Sequence, residues 1–316
     1  MKYRKFGNSG ITVSEIGFGA WGIGGSAGGH AAYGITDDTV SINALNAAFD
    51  TGVTLYDTSD LYGMGHSEQL IGQAFRQKRD QVVIATKGGM VNSAGDQDFS
   101  PAYLRGALER SLTRLSSDYV DLYQLHSPSP ENLDQIASLK YFLDTLIKEG
   151  KTRVTGVSAR SPQEALLLIE KFGFQSVQVN LNLLDWRAID CGLLQRCQDL
   201  GIALIARTPL CFGFLTGRYS CDDVSDPHDH RARWSREQVE QWVAAATLFG
   251  DAIKSSGDQT SGQKALRFCL SFNEVSTVIP GMLSAEQVYE NIQASSLGSL
   301  TPAELHKLEL IYRATR

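Results

Sequence analysis

Residues 119–173, YVDLYQLHSPSPENLDQIASLKYFLDTLIKEGKTRVTGVSARSPQEALLLIEKFG, run through one pattern twice. YVDLYQL is short and apolar, and LDQIASLKYFLDTLIKEG behind it carries apolar residues at helical spacing and closes on Gly150. TRVTGVS and PQEALLLIEKFG then repeat the pair. Strands apolar on both faces and joined by amphipathic helices predict a parallel sheet covered on both sides.

The alternation extends in both directions. Upstream, ITVSEIGFG reads as a strand ending in glycines and DTVSINALNAAFDTG as a helix. VTLYD (strand), SEQLIGQAF (helix) and QVVIAT (strand) follow, then PAYLRGALERSLTRL, a helix with Pro101 in its first turn. Downstream come SVQVNL, the helix CGLLQRCQDLG, and the strands IALIAR and VSTVIP. Eight strand–helix alternations in 316 residues predict a closed (β/α)8 barrel rather than an open doubly wound sheet. GFGAWGIGG is glycine-rich but lies far from its helix, so the dinucleotide fingerprint of an open sheet is missing. No linker or low-complexity tract interrupts residues 1–316, which read as one domain. Two segments break the rhythm, residues 22–37 and 211–235, and both follow strand C-termini, where barrel active sites sit.

A net charge of −6 argues against a nucleic-acid partner, which would want a basic face. The N-terminal segment has early cations but no apolar run to make a secretory signal. No stretch of about 18 apolar residues offers a membrane span, so a cytoplasmic protein is expected. The cysteines, Cys191, Cys197, Cys211, Cys221 and Cys269, are odd in number and lack a CxxC pair, which reads as free thiols. His228 and His230 alone do not make a zinc site, and no metal is expected.

Ionisable groups stand at or just past the ends of successive strands. VTLYDTSDLYG supplies Asp57 and, five residues on, Tyr62. VVIATKGG supplies Lys87, and VDLYQLHSP supplies His126. Singly, Asp57 reads as a turn residue, Tyr62 as a packed ring, Lys87 as a solvated cation and His126 as a cap. Four such groups at one end of successive strands are hard to explain by stability alone. They suit proton transfer coupled to hydride transfer. A tyrosine hydroxyl beside an ammonium is eased toward phenolate, a carboxylate compensates the buried ammonium, and a histidine aligns the carbonyl oxygen.

DTSDLYG, ATKGG and LYQLHSP resemble the Asp, Tyr, Lys, His tetrad segments of the aldo-keto reductase superfamily, NAD(P)-dependent barrel oxidoreductases, and the resemblance runs over essentially the whole chain. It implies Tyr62 as general acid/base, Asp57 and Lys87 tuning it, and His126 orienting a carbonyl or alcohol substrate. It also implies that Ser158 of GVSAR and Gln178 of SVQVNL reach the nicotinamide carboxamide, with Ala159 where the family has Asn. Arg207 stands where an aromatic ring often stacks on the nicotinamide. Thr208, Leu210, Gly213 and Leu215 match the loop around the pyrophosphate, and Trp21 borders both cofactor and substrate. In IPGMLSAEQVYEN, Gly281, Gln287, Glu290 and Asn291 match the adenosine contacts.

Relatives that use NADPH usually place Lys or Arg beside the ribose 2′-phosphate early in that segment or at the position of Gln287. Here Met282, Leu283, Ser284 and Gln287 stand there, and no cation lies between Pro280 and Asn291. The family default is NADP(H), and this departure predicts weak discrimination against NAD(H). Trp21, His126 and Tyr33 are the expected substrate contacts, in a pocket built with residues 22–37, 90–99 and 211–235, and His30 and Tyr123 are further polar candidates. The small residues of 22–37 suit a polar carbonyl such as a sugar. The family default is a monomer. Two other classes compete: a non-catalytic barrel serving as an interaction subunit, and a Schiff-base lyase or aldolase using Lys87.

Overall fold

A computed structural model describes residues 1–26, 32–224, 229–253 and 258–315. Its strands are β1 (Tyr3–Lys5), β2 (Thr12–Ser14), β3 (Phe18–Gly19), β4 (Leu55–Asp57), β5 (Val83–Gly88), β6 (Val120–His126), β7 (Thr152–Ser158), β8 (Ser176–Asn180), β9 (Ala203–Arg207) and β10 (Val275–Ile279). Strands β3 to β10 form one eight-stranded sheet in sequence order, every pair parallel. Parallel bridges Ile16–Val278 and Gly19–Gly281 join its edges, so the sheet closes into a (β/α)8 barrel.

The helices are α1 (Asp38–Asp50), α2 (His66–Phe75), α3 (Pro101–Leu115), α4 (Pro130–Asp134), α5 (Leu139–Lys148), α6 (Pro162–Phe172), α7 (Arg187–Asp190), α8 (Leu193–Leu200), α9 (Arg236–Ala252), α10 (Ser261–Leu270), α11 (Ala285–Leu297) and α12 (Pro302–Ala314). Local chemistry starts many of them. Helices α3, α4, α6 and α12 each begin with a Ser or Thr cap followed by Pro, the cap oxygen accepting from a backbone amide three residues on. Such a cap contributes about 1 kcal/mol, and Pro costs nothing where the amide has no helical partner. No helix among the described residues is long and apolar enough to cross a membrane.

The segment ITVSEIGFG is not one strand. Thr12–Ser14 pairs antiparallel with Tyr3–Lys5, and only Phe18–Gly19 enters the barrel. The division follows from packing: Phe6, Ile11 and Val13 join Leu55, Val83, Leu122, Val154 and Ile205 in the barrel's interior cluster, so the hairpin closes the N-terminal end. The stretch 133–150 also splits, because the Ile136 and Leu139 amides turn to carbonyls three residues back between α4 and α5. The 211–235 segment holds short 3-10 turns, Cys211–Thr216 and His230–Arg233 among them. His30 and His228 lie outside the described residues, as does the side chain of Cys221. Cys191, Cys197, Cys211 and Cys269 are free thiols.

Candidate active site

Successive residues of a strand face opposite sides, and the inward phase can be followed along each barrel strand. Leu55 lies in the interior cluster, so Asp57 points inward two residues later. Val83 and Ala85 place Lys87 there, Leu122 places Gln124 and His126, Val154 places Ser158, and Ala203 and Ile205 place Arg207. The alternate residues Tyr56, Ile84, Tyr123, Val157 and Leu204 pack under the helices. The same apolar floor therefore delivers all these polar groups to one mouth.

At its centre is a buried ion pair. Lys87 Nζ donates to Asp57 Oδ1 at 2.5 Å, to the Thr58 carbonyl at 2.8 Å and to the Tyr62 hydroxyl oxygen at 3.1 Å. Both charged side chains are almost completely buried. Burial disfavours the Lys87 ammonium, but the Asp57 carboxylate and Tyr62 beside it prevail and hold it above the ordinary lysine value. Asp57 Oδ2 accepts from Gln178 Nε2 at 2.7 Å and Gln124 Nε2 at 3.1 Å, which completes its hydrogen bonding. The Tyr62 ring meets the His126 ring edge-on, centroids 5.9 Å apart. His126 Nδ1 lies 3.0 Å from Ser59 Oγ. Burial, then Lys87 and Arg207, push its pKa well below the usual histidine value, so the ring is neutral near pH 7.

The predicted cofactor residues line the same face. Ser158 Oγ donates to Gln178 Oε1 at 3.2 Å. Arg207 is held through Nη2 by the Ala159 carbonyl at 3.0 Å, while its Nε is buried without a partner. Thr208, Cys211, Phe212 and Gly213 all have positive φ, and a Cβ at Gly213 would stand 2.7 Å from the Tyr219 ring. Left-handed backbone at threonine and phenylalanine is costly and collects where function demands it. Of the six non-glycine residues of positive φ among those described, only Ser116 lies away from the loops that follow barrel strands. Leu210 and Leu215 bracket this turn. Gly281 bridges Gly19 behind it, Gln287 Oε1 accepts from Leu283 N, and Asn291 is buried in α11.

The orphaned Arg207 Nε, the backbone turn at 208–213 and the paired amide of Gln178 fit a nicotinamide dinucleotide. The segment from Pro280 to Asn291 contains no cation of its own, yet the fold brings one from the β9 side. Arg218 Nη2 donates to Glu290 Oε2 at 2.6 Å, a contact between residues 72 positions apart.

Just past β3, Trp21 packs edge-on against Tyr33 (4.7 Å) and His230 (4.8 Å), which continue through Phe212 and Trp234. Tyr123 is not part of this wall. It sits on the outward phase of β6, and its hydroxyl donates to the Leu104 carbonyl. Sequence reasoning did not single out Gln124 and Ser59, and it held His230 only as part of the 211–235 loop. Gln124 was open to detection, since it stands two residues before His126. Ser59 carries no such signal, because it stands in the turn that follows Asp57.

A family model described as the aldo/keto reductase family matches residues 15–313. The chain is 30% identical to the NADH-specific methylglyoxal reductase of Escherichia coli, over 94% of each chain. It is 31% identical to the aldo-keto reductase yakc of Schizosaccharomyces pombe, whose name carries NADP(+), over 92% of this chain and 86% of that protein. It also resembles the solved glycerol dehydrogenase AKR11B4 of Gluconobacter oxydans, with a TM-score of 0.79, 28% identity, and 99% and 95% of the two chains covered.

Proposed function

The chain belongs to the aldo/keto reductase family, a family of oxidoreductases, and from that premise we propose that it interconverts a small polar carbonyl compound and its alcohol, with Tyr62 as general acid and base. The observation that carries this reading is the bonding of Lys87. Its ammonium has three hydrogens and three acceptors, Asp57, the Thr58 carbonyl and Tyr62, and is fixed by them. Because Lys87 donates to the phenol oxygen, the hydroxyl hydrogen of Tyr62 is free to face a reacting oxygen. When bound, a reduced nicotinamide supplies the hydride. Tyr62 delivers the proton that the reduced carbonyl oxygen requires, and His126 orients that oxygen beside it. Ser158 and Gln178 would hold the carboxamide, and Arg207 would lie against the ring. A Schiff-base role for Lys87 needs a free amine, and an ammonium engaged at every hydrogen does not offer one.

Both NADH and NADPH serve as donors in this proposal. The Arg218 guanidinium, which reaches the segment from Pro280 to Asn291, is already paired there with the Glu290 carboxylate, which weakens its hold on a 2′-phosphate. The names of the two curated relatives span both cofactors, and those of the methylglyoxal reductase and the glycerol dehydrogenase support a small, oxygen-rich substrate.

The test is nicotinamide turnover with a panel of small aldehydes, ketones and sugars. Activity is expected, and Tyr62→Phe should lower kcat by at least about a hundredfold with the fold intact. Undiminished Tyr62→Phe activity would overturn the role of Tyr62. A kcat/KM ratio between cofactors beyond about a hundredfold, roughly 2.7 kcal/mol, would overturn dual use.

A further inference from the structure

We propose that Asp60, acting through Ser59, decides which nitrogen of His126 carries its hydrogen and therefore whether that histidine can donate to a substrate carbonyl; this rests on the reductase reading above. The observation behind it is one hydroxyl with one hydrogen and two claimants. Ser59 Oγ lies 3.0 Å from His126 Nδ1 and 3.1 Å from Asp60 Oδ1, and it accepts from the Leu61 amide at 3.2 Å. An amide can only donate, so the hydroxyl hydrogen goes either to the carboxyl group or to the imidazole.

With Asp60 ionised, the hydroxyl donates to the carboxylate. Nδ1 must then bring the hydrogen to Ser59, and Nε2 is left a bare acceptor. With Asp60 protonated, the acid donates to Oγ, the hydroxyl turns to Nδ1, and the ring hydrogen sits on Nε2. Only the second arrangement offers a donor to a carbonyl oxygen. One proton balances the change. A proton arriving at Nε2 releases the Nδ1 hydrogen to Ser59, and Ser59 releases its own to Asp60; the reverse sequence returns one proton from Nε2.

The surroundings keep this chain in place. Ser59 is fully buried, and the Asp60 amide donates to the Lys87 carbonyl at 3.3 Å. Burial and Glu68 of α2 favour the protonated carboxyl of Asp60, against Ser59 and the guanidinium groups of Arg114 and Arg110 on α3, and its pKa rises to about 7. The phenols of Tyr103 and Tyr123 also lie in its field. Glu68 is itself held by Arg114 at 2.6 Å and by Thr86 at 2.5 Å. On the other side, burial together with Lys87 and Arg207 keeps His126 neutral in both arrangements, so the ring exchanges tautomers instead of becoming an imidazolium.

The deciding measurement is nitrogen NMR of the full chain carrying 15N-labelled histidine, with the His126 signals identified by their loss in His126→Gln. The wild type should carry hydrogen on Nε2 at about pH 6 and on Nδ1 at about pH 8.5. Asp60→Asn and Ser59→Ala should each remove that response, and Ser59→Thr should retain it. In kinetics, the wild-type reductive kcat/KM should fall about tenfold per pH unit above the break, with the break absent from Asp60→Asn. A wild-type tautomer that ignores pH, or a Ser59→Ala variant that keeps the response, overturns the inference. A wild type that turns over no carbonyl compound refutes the reductase reading instead, and the NMR result still decides this one.

Discussion

Asp57 is the residue on which the site depends, because it accepts from Lys87, Gln178 and Gln124 together. Removing its charge strands a buried ammonium. Asp57→Asn is therefore expected to cost about 3–5 kcal/mol of stability at neutral pH, the usual cost of breaking a buried pair from one side. The sign with pH follows. Without its counter-charge, Lys87 has a folded pKa below its unfolded value of about 10.4. The folded state then gains relative stability as pH rises through that folded value. Urea unfolding at several pH values should show the deficit shrinking toward alkaline pH, and a deficit under about 1 kcal/mol would refute the argument. At this scale the sequence spoke clearly where a charged or aromatic group stands at a strand end, as with Asp57, Tyr62, Lys87 and His126. It was silent on Ser59 and Asp60, whose identities suit an ordinary turn. It was nearly silent on Gln124, a neutral residue whose importance appears only when Asp57 is found opposite it.

Among the elements, the 3-10 turn Tyr62–Gly65 presents Tyr62, and it does so by lying against the turn Gly22–Gly24. Gly63 has φ +58°, and a Cβ there would stand 2.1 Å from the Gly24 carbonyl oxygen. The small residues of 22–37, read from sequence as suiting a polar carbonyl, serve at Gly24 to let two backbones meet. That purpose is invisible in one dimension, because the partner is some 40 residues away. Gly63→Ala should cost about 1–3 kcal/mol and reduce kcat/KM by pushing Tyr62 from Lys87. Gly10→Ala is the control, since Gly10 has φ +77° but nothing within 4 Å of a Cβ. It should share the backbone strain and leave turnover intact. Equal losses of activity in the two variants would mean that the close approach does not position Tyr62. The helix and strand pattern itself was legible nearly throughout, and α3 falls on the predicted residues. ITVSEIGFG misled because a hairpin strand and a barrel strand follow each other with no turn signal beyond Gly17.

Over the whole molecule, buried titratable groups set the range of pH in which the barrel is stable. On the acid side, His126 and His230 are held neutral, with His230 lowered to about 4 by burial and then Arg233. The unfolded chain binds those protons from about pH 6.5 downward and the folded chain does not, so stability falls as pH drops below that value. Asp60 opposes them. Its folded pKa of about 7 lies above an unfolded value of about 3.9, so its contribution is complete below the lower figure and is lost as pH rises through the higher one. Two histidines outweigh one carboxyl group, and Asp60→Asn should make the acid branch steeper. On the alkaline side, burial raises Cys197 and Cys211 to about 12 and pushes Cys269, Tyr33, Tyr56 and Tyr123 up as well. Unfolded thiols ionise near pH 8.5 and phenols near 10, so stability present below about pH 8.5 is lost above it. Calorimetry at fixed ionic strength should therefore show Tm level between about pH 6.5 and 8.5 and falling on both flanks. A Tm that holds beyond about pH 10 would show that these thiols and phenols reach water in the folded state. An acid branch made shallower by Asp60→Asn would show that the Asp60 carboxyl is ionised where the Ser59 relay needs its proton.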